Sequence, residues 1–234
     1  MIALLSDIHS NLYALEAVLS DMPKVSAVYV LGDMIGGASP FPCEVLDTLM
    51  GPDVPVHAII GNWEGWMLGA RHNIPPEIRG NGTKLAAGAW AMDVLQERHW
   101  NYLEGLEKTL HVNDMLLFHG SPERLKGEIL CQKDAEELAQ KHDAKWLIGG
   151  HIHRTQLFKV GTQRVVNAGS VGISCDNIGG VACYALFDGD DIVFRHVAYD
   201  VESAIKAIEA SELYTLSNDF VKTQIAVMRN GNYE

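Results

Sequence analysis

The sequence predicts an α/β fold in one domain, and three observations predict it. Five short apolar runs each end in a side chain of the kind that binds metals, and amphipathic helical stretches follow the first two of them. The second half turns to short β runs joined by tight turns, which shades the class toward α+β. In open α/β sheets ligands gather beyond the carboxyl ends of the strands, so the five endings are expected to meet in one cleft. With 234 residues, 47% of them apolar, the chain can bury an ample core.

In order, Ile2-Ala3-Leu4-Leu5 is the first strand and leads into Asp7-Ile8-His9. Positions i and i+2 share a face, so the Asp7 and His9 side chains are expected to leave the sheet together. After Ser10-Asn11, apolar residues at 12, 15, 18, 19 and 22 recur at helical spacing until Pro23 ends the run. Val28 to Leu31 is the second strand, parallel to the first through a right-handed crossover, and it ends in Gly32-Asp33. Residues 36–42 are rich in Gly, Ser and Pro and read as a loop, 43–50 as a short helix. Pro52 and Pro55 delimit a third strand, Val56 to Ile60, ending in Gly61-Asn62.

Residues 65–106 differ in kind. Trp66, Trp90 and Trp100 lie within the segment and Trp63 just before it; Ile74-Pro75-Pro76 and Gly80-Asn81-Gly82 break it before a long helical pattern through Leu85, Trp90, Met92, Leu95 and Leu103. It reads either as a helical cap beside the cleft or as a helix pair packed on the sheet. A hairpin follows, Leu110-His111-Val112 and Met115 to Phe118 about Asn113-Asp114, ending in His119-Gly120. A helix at 133–142 and the strand Trp146 to Ile148 lead to Gly149-Gly150-His151-Ile152-His153. Four β runs, 156–160, 164–167, 181–187 and 192–197, form two hairpins and make the second half largely antiparallel; the stretch from Val201 through Leu213 is helical. No repeat or linker divides the chain.

The formal charge of −12 and the lack of a Lys/Arg cluster exclude non-specific binding to nucleic acid. Cys43, Cys131, Cys175 and Cys183 are scattered with no Cys-x-x-Cys pair, which argues against structural zinc and a disulfide framework. No leader-like N-terminus and no apolar run near the ~20 residues of a membrane span is visible. A cytoplasmic protein with reduced thiols is expected.

The candidate metal ligands are Asp7, His9, Asp33, Asn62, His119, His151 and His153. Oxygen and nitrogen donors without thiolate suit borderline ions, Mn²⁺ first, with Fe, Zn²⁺ or Ni²⁺ as alternatives. Seven ligands are too many for one ion and fit two divalent or trivalent ions if Asp33 bridges, each of its oxygens facing one cation. Such a pair activates water for in-line attack at phosphorus. The expected catalytic residues are Asp33, Asn62 and His119, and the expected partner is a small phosphoester, a nucleotide among the candidates.

Asp7-x-His9, Gly32-Asp33, Gly61-Asn62, His119 and Gly150-His151-x-His153, in this order at strand ends, resemble the calcineurin-like metallophosphoesterase superfamily, and more loosely its compact microbial phosphodiesterases and its diadenosine tetraphosphatase and protein phosphatase branch. Asp7-Ile8-His9-Ser10-Asn11 and Asn167-Ala168-Gly169-Ser170-Val171-Gly172 look like that compact group too. The resemblance spans residue 2 to about 187. It implies a four-layer α-β-β-α sandwich with two mixed sheets. It also implies Asp7, His9 and His153 on one ion, Asn62, His119 and His151 on the other, and Asp33 between.

One departure matters. The resembled family commonly reads Gly-Asn-His-Asp/Glu, whereas this chain has Gly61-Asn62-Trp63-Glu64. The family's His is credited with protonating the leaving group or binding phosphate, and an indole, a donor only, cannot serve as the acid. His72 and Arg71 are candidate replacements, and Asn11, Arg154 and His72 are candidate substrate contacts. Diesters are favoured over monoesters, which would ask for more cationic contacts than Arg154 and Arg71 supply. The competing reading is an interaction scaffold that keeps the fold with little catalysis; the complete ligand set argues against it.

Overall fold

The computed structural model describes residues 1–51, 55–79 and 82–233; Pro52 and Gly80-Asn81 lie outside the described residues. Two five-stranded sheets face each other. The first contains β1 (Ile2–Leu5), β2 (Val28–Val30), β3 (Val56–Ala58), β9 (Val181–Phe187) and β10 (Ile192–Ala198), in the order β10-β9-β1-β2-β3. The second contains β4 (Leu110–Val112), β5 (Met115–Leu117), β6 (Trp146–Gly149), β7 (Thr155–Val160) and β8 (Gln163–Ala168), in the order β4-β5-β6-β8-β7.

Alternation along each strand explains the layers. Ala3 and Leu5 point to one face of β1 and pack with Leu15 and Val18 of α1 (Leu12–Asp21) and Val45 and Leu46 of α2 (Pro42–Leu49). Leu4 points to the other face and joins Leu117, Ile148 and Val166 of the second sheet in an inter-sheet core. The far face of the second sheet is covered by Ala135 and Leu138 of α6 (Gln132–Ala139). The result is the expected α-β-β-α sandwich with mixed sheets. Both faces of the central strands are buried, which is why their sequences read as continuous apolar runs.

Helices α3 (Asn62–Ala70), α4 (Lys84–Val94) and α5 (Glu97–Glu104) share the first sheet's helical layer through Met67, Met92, Trp100 and Leu103. The single long pattern expected at 85–103 is broken at Leu95, whose extended ψ of 137 ends α4 before Gln96 starts α5. The two hairpins of the second half are split between sheets: β7-β8 closes the second, where β8 runs parallel to β6, and β9-β10 joins the first beside β1. Three helices follow β10: α7 (Val201–Glu209), α8 (Glu212–Leu216) and α9 (Asn218–Asn230). α9 was not anticipated by the sequence reading, although Val221, Ile225 and Met228 give it a buried stripe. Among the described residues no helix is long and apolar enough to cross a membrane.

Candidate metal centre

The strands deliver their polar endings in an unexpected way. β1 stops at Leu5, and Asp7 and His9 lie beyond it in left-handed backbone, with φ of 53° and 50°. Asp33, His151 and His153 do the same at φ of 50°, 74° and 60°. The face-sharing rule for a strand therefore does not apply to these residues. Kinks, each costing about 1–2 kcal/mol, aim the side chains instead. Main-chain bonds between the loops hold the kinks: Asp7 N to Gly32 O, His9 N to Asp33 O, and Gly172 N to Asp7 O, each 3.0 Å.

The loops approach so closely here that only glycine fits at two of the motif positions. A Cβ on Gly61 would overlap Asp33, and one on Gly150 would overlap Ser6 Oγ and crowd Asp7 Oδ2. Glu64, fully buried one turn into α3, accepts hydrogen bonds from the N–H groups of Asp33 (2.9 Å), Gly61 (2.8 Å) and Ile35 (3.1 Å). It ties the Asp33 loop to the Asn62 loop. Burial and the neighbouring Asp33 carboxylate push Glu64 up to about 7, against the pull of those N–H donors.

Two donor groups result. Asp7, His9 and His153 place ligand atoms within 4.8 Å of one another, and Asp33, His119 and His151 do likewise. Asn62 Oδ1 is 3.2 Å from His119 Nε2, so the second group also includes the amide. Asp33 lies between the groups. Its Oδ1 accepts from Trp63 N (2.8 Å), while Oδ2 is 3.9 Å from His9 Nε2 and 3.5 Å from His119 Nε2. One Asp33 oxygen, rather than one for each group, therefore faces both.

The polar chemistry fits bound cations. His119 Nδ1 donates to Leu31 O (2.7 Å) and His153 Nδ1 to Ile173 O (2.9 Å), which turns both Nε2 atoms inward. Asp7 Oδ2 accepts from Ser6 Oγ (2.6 Å) and His151 N (2.8 Å), but its buried Oδ1 has no hydrogen-bond partner and lies 3.3 Å from His153 Nε2. Burial opposes charge on His119, yet the Asp33 and Asp7 carboxylates outweigh it and raise the imidazole to about 9. His153 is likewise raised despite burial, by Asp7, whereas burial and His153 push His9 down to about 4. Burial and His119 lower His151. In each group the carboxylate thus draws positive charge onto one neighbouring imidazole. By contrast, in a third cluster of Asp176, Cys183 and His196, Asp176 Oδ2 already accepts from Thr155 Oγ1 (2.7 Å) and pairs with His196 (2.7 Å), so nothing there calls for a cation.

The expected substrate contacts fare differently. Asn11 is buried, and its amide is fully committed: Oδ1 accepts from Ala14 N (3.1 Å), and Nδ2 donates to Gly172 O (2.9 Å) and Tyr199 Oη (3.3 Å). It starts α1 and has no donor left for phosphate. His72 lies in a separate depression with Arg71 and Trp100, and Arg71 pairs with Glu97 and Glu104. Arg154 is exposed and does not line the cleft.

The cleft over the donor groups holds about 230 Å³ and is also lined by Trp63, Trp66, Lys84, Leu85, Lys126, Phe220, Gln224 and Tyr233. The sequence reading assigned none of the two lysines, Phe220, Gln224 or Tyr233 to the site. The stripe of α9 was a readable signal for a helix, but nothing local shows that this helix crosses the cleft.

A sequence profile of the calcineurin-like phosphoesterase superfamily domain matches residues 1–191. An uncharacterised protein of Methanocaldococcus jannaschii is 28% identical over 238 residues, covering 91% of this chain and 93% of that protein. In structure the chain is similar to a metallophosphoesterase from Sphaerobacter thermophilus, with TM-score 0.80, 26% identity and coverage of 97% and 99% of the two chains. A hypothetical protein of Pyrococcus horikoshii OT3 shares the fold, with TM-score 0.79, 22% identity and 99% of each chain covered.

Proposed function

The chain belongs to the calcineurin-like phosphoesterase superfamily, and we propose that it hydrolyses phosphodiesters at a dinuclear metal centre. It is a metal-dependent hydrolase of phosphoric esters by family and by structural relationship. In our reading Asp7, His9 and His153 would hold one ion and Asn62, His119 and His151 the other, with Asp33 shared between them. The observation that carries this reading is the pair of donor groups either side of Asp33 Oδ2. Mn²⁺ suits the mixed oxygen and nitrogen set, with Fe, Zn²⁺ or Ni²⁺ as substitutes.

Bound cations supply Lewis acidity toward water and toward the phosphoryl oxygens. The protein's part is positioning. Leu31 O and Ile173 O fix the tautomers of His119 and His153, and Ser6 with the His151 N–H fixes Asp7. Asn62 Oδ1 and His119 Nε2 lie 3.2 Å apart in the second donor group. The segment 65–106 acts as a cap-like wall, with Trp66, Lys84 and Leu85 at the cleft. The four cysteines are free, which suits a reducing, cytoplasmic setting.

The test is an assay of Mn²⁺-loaded protein on aryl phosphate diesters and monoesters. Diester hydrolysis is expected to be faster, and Asp33→Asn is expected to lower it by about a hundredfold or more. No hydrolysis of either ester, or an Asp33→Asn variant equal to wild type, would overturn the proposal.

A further inference from the structure

Resting on the two-ion reading above, we infer that Asp176 is a positioning residue: it clamps His153 against Asp7 and His9, and so sets the affinity of the ion those three would hold without setting that of the other.

The group of Asp7, His9 and His153 is assembled from both sheets. Asp7 and His9 follow β1 of the first sheet, whereas His153 follows β6 of the second. The ladder bonds of either sheet therefore do not span the group. Residues 169–180, which cross from β8 of the second sheet to β9 of the first, do span it.

This crossing segment grips both halves. Ser170 Oγ donates to Asp7 O (2.7 Å), and Gly172 N donates to the same oxygen (3.0 Å). A few residues on, Ile173 O accepts from His153 Nδ1 (2.9 Å) and Cys175 N donates to His153 O (2.9 Å). Asp176 then accepts from Thr155 N at Oδ1 (2.9 Å) and from Thr155 Oγ1 at Oδ2 (2.7 Å). The stretches 153–155 and 173–176 are thus bonded side by side, which holds His153 at ring and carbonyl in its left-handed backbone with φ 60°. The Asp176 side chain closes the far end of this run with two of its bonds.

Asp176 is also anchored from the first sheet. Cys183 of β9 and His196 of β10 are directly opposite one another in the ladder. His196 Nε2 donates to Asp176 Oδ2 (2.7 Å), and Cys183 Sγ lies 3.6 Å from the same oxygen. With only 10% of its side chain exposed, a carboxylate that receives donors from both sheets is a strong and directional link. Such partners of the loops that aim ligating histidines are typically worth about 10–100-fold in metal affinity.

The other group is held by different bonds. Glu64 joins the Asp33 and Asn62 loops, Leu31 O fixes His119 Nδ1, and Asp7 Oδ2 holds the His151 N–H. None of these bonds runs through residues 173–176, so loss of the Asp176 side chain should be felt at one ion and not at both.

The test is calorimetric titration with Mn²⁺ of proteins from which one group has been stripped. In His151→Ala the remaining ion belongs to Asp7, His9 and His153, and adding Asp176→Ala is expected to weaken it by about 10–100-fold. In His9→Ala the remaining ion belongs to the other group, and adding Asp176→Ala is expected to change its affinity by no more than about twofold. His196→Ala leaves both Thr155 bonds in place and is expected to give a smaller loss with the same split. A side chain that serves stability alone would move both affinities together. Should Asp176→Ala not fold, His196→Ala decides by that split. A loss in the His9→Ala background as large as that in His151→Ala, or no loss in the latter, would overturn this inference and leave the two-ion reading standing. Uptake of fewer than two ions by the wild type would overturn both.

Discussion

Replacing Glu64 with alanine is expected to loosen two of the loops that carry proposed ligands. The carboxylate is fully buried and accepts three main-chain hydrogen bonds, from Asp33, Ile35 and Gly61. Each bond to a charged acceptor is worth about 1.5–3 kcal/mol net, so three amount to roughly 5–9 kcal/mol. Burial and Asp33 repulsion raise the carboxyl from 4.5 to about 7. At about 1.4 kcal/mol per pKa unit, that opposition is worth roughly 3 kcal/mol, and alanine is relieved of it. The net loss is then about 2–6 kcal/mol, a large share of an ordinary domain's stability. Urea unfolding of the metal-free protein measures it, and a fall in Tm of roughly 5–15 °C should accompany it. Metal affinity should fall by about 10–100-fold, because the side chain that joins the Asp33 and Asn62 loops is gone. A Glu64→Ala protein within about 1 kcal/mol of wild type, binding metal as well, would refute the reasoning.

Three further outcomes follow from the same geometry. The stability of metal-free wild type relative to Glu64→Gln should be greatest below the unfolded carboxyl value of 4.5 and be lost as pH rises toward about 7, because the folded group holds its proton longer; urea titrations of both proteins at several pH values check the sign. Asn11→Ala should lower stability by about 1–3 kcal/mol while leaving KM for an aryl diester unchanged, since its amide serves α1, Gly172 and Tyr199; a raised KM with intact stability would restore it as a substrate contact. Gly61→Ala should abolish metal binding, because its Cβ would overlap Asp33; calorimetric titration with Mn²⁺ reads this directly.

The strands and their polar endings were legible because β1, β2 and β6 are buried on both faces and so appear as uninterrupted apolar runs. The glycines at 32, 61 and 150 were legible as motif members, but their reason, the close approach of the Gly61 backbone, of Asp33 and of the Ser6 side chain respectively, is a tertiary fact. The rule that i and i+2 share a face misdescribed Asp7 and His9, because the chain leaves the strand at Leu5 and kinks at φ values near 50°. Asn11 was ambiguous between helix start and ligand contact, and only Gly172 and Tyr199, more than 150 residues away in sequence, decide it. His99 gave no signal of burial, yet it is wholly enclosed against Asp47. Lys84, Lys126 and Tyr233 reach the cleft through the placement of α4, a loop and α9, which depends on packing among distant elements and leaves no local pattern.

The central claim is that two neighbouring donor groups each hold one cation across Asp33. Elemental analysis of Mn²⁺-loaded protein, set against chain concentration, tests it most directly. Two ions per chain are expected in wild type, and one in each of His9→Ala and His151→Ala, which strip opposite groups. One ion or fewer in wild type, or both substitutions leaving the count unchanged, would contradict it.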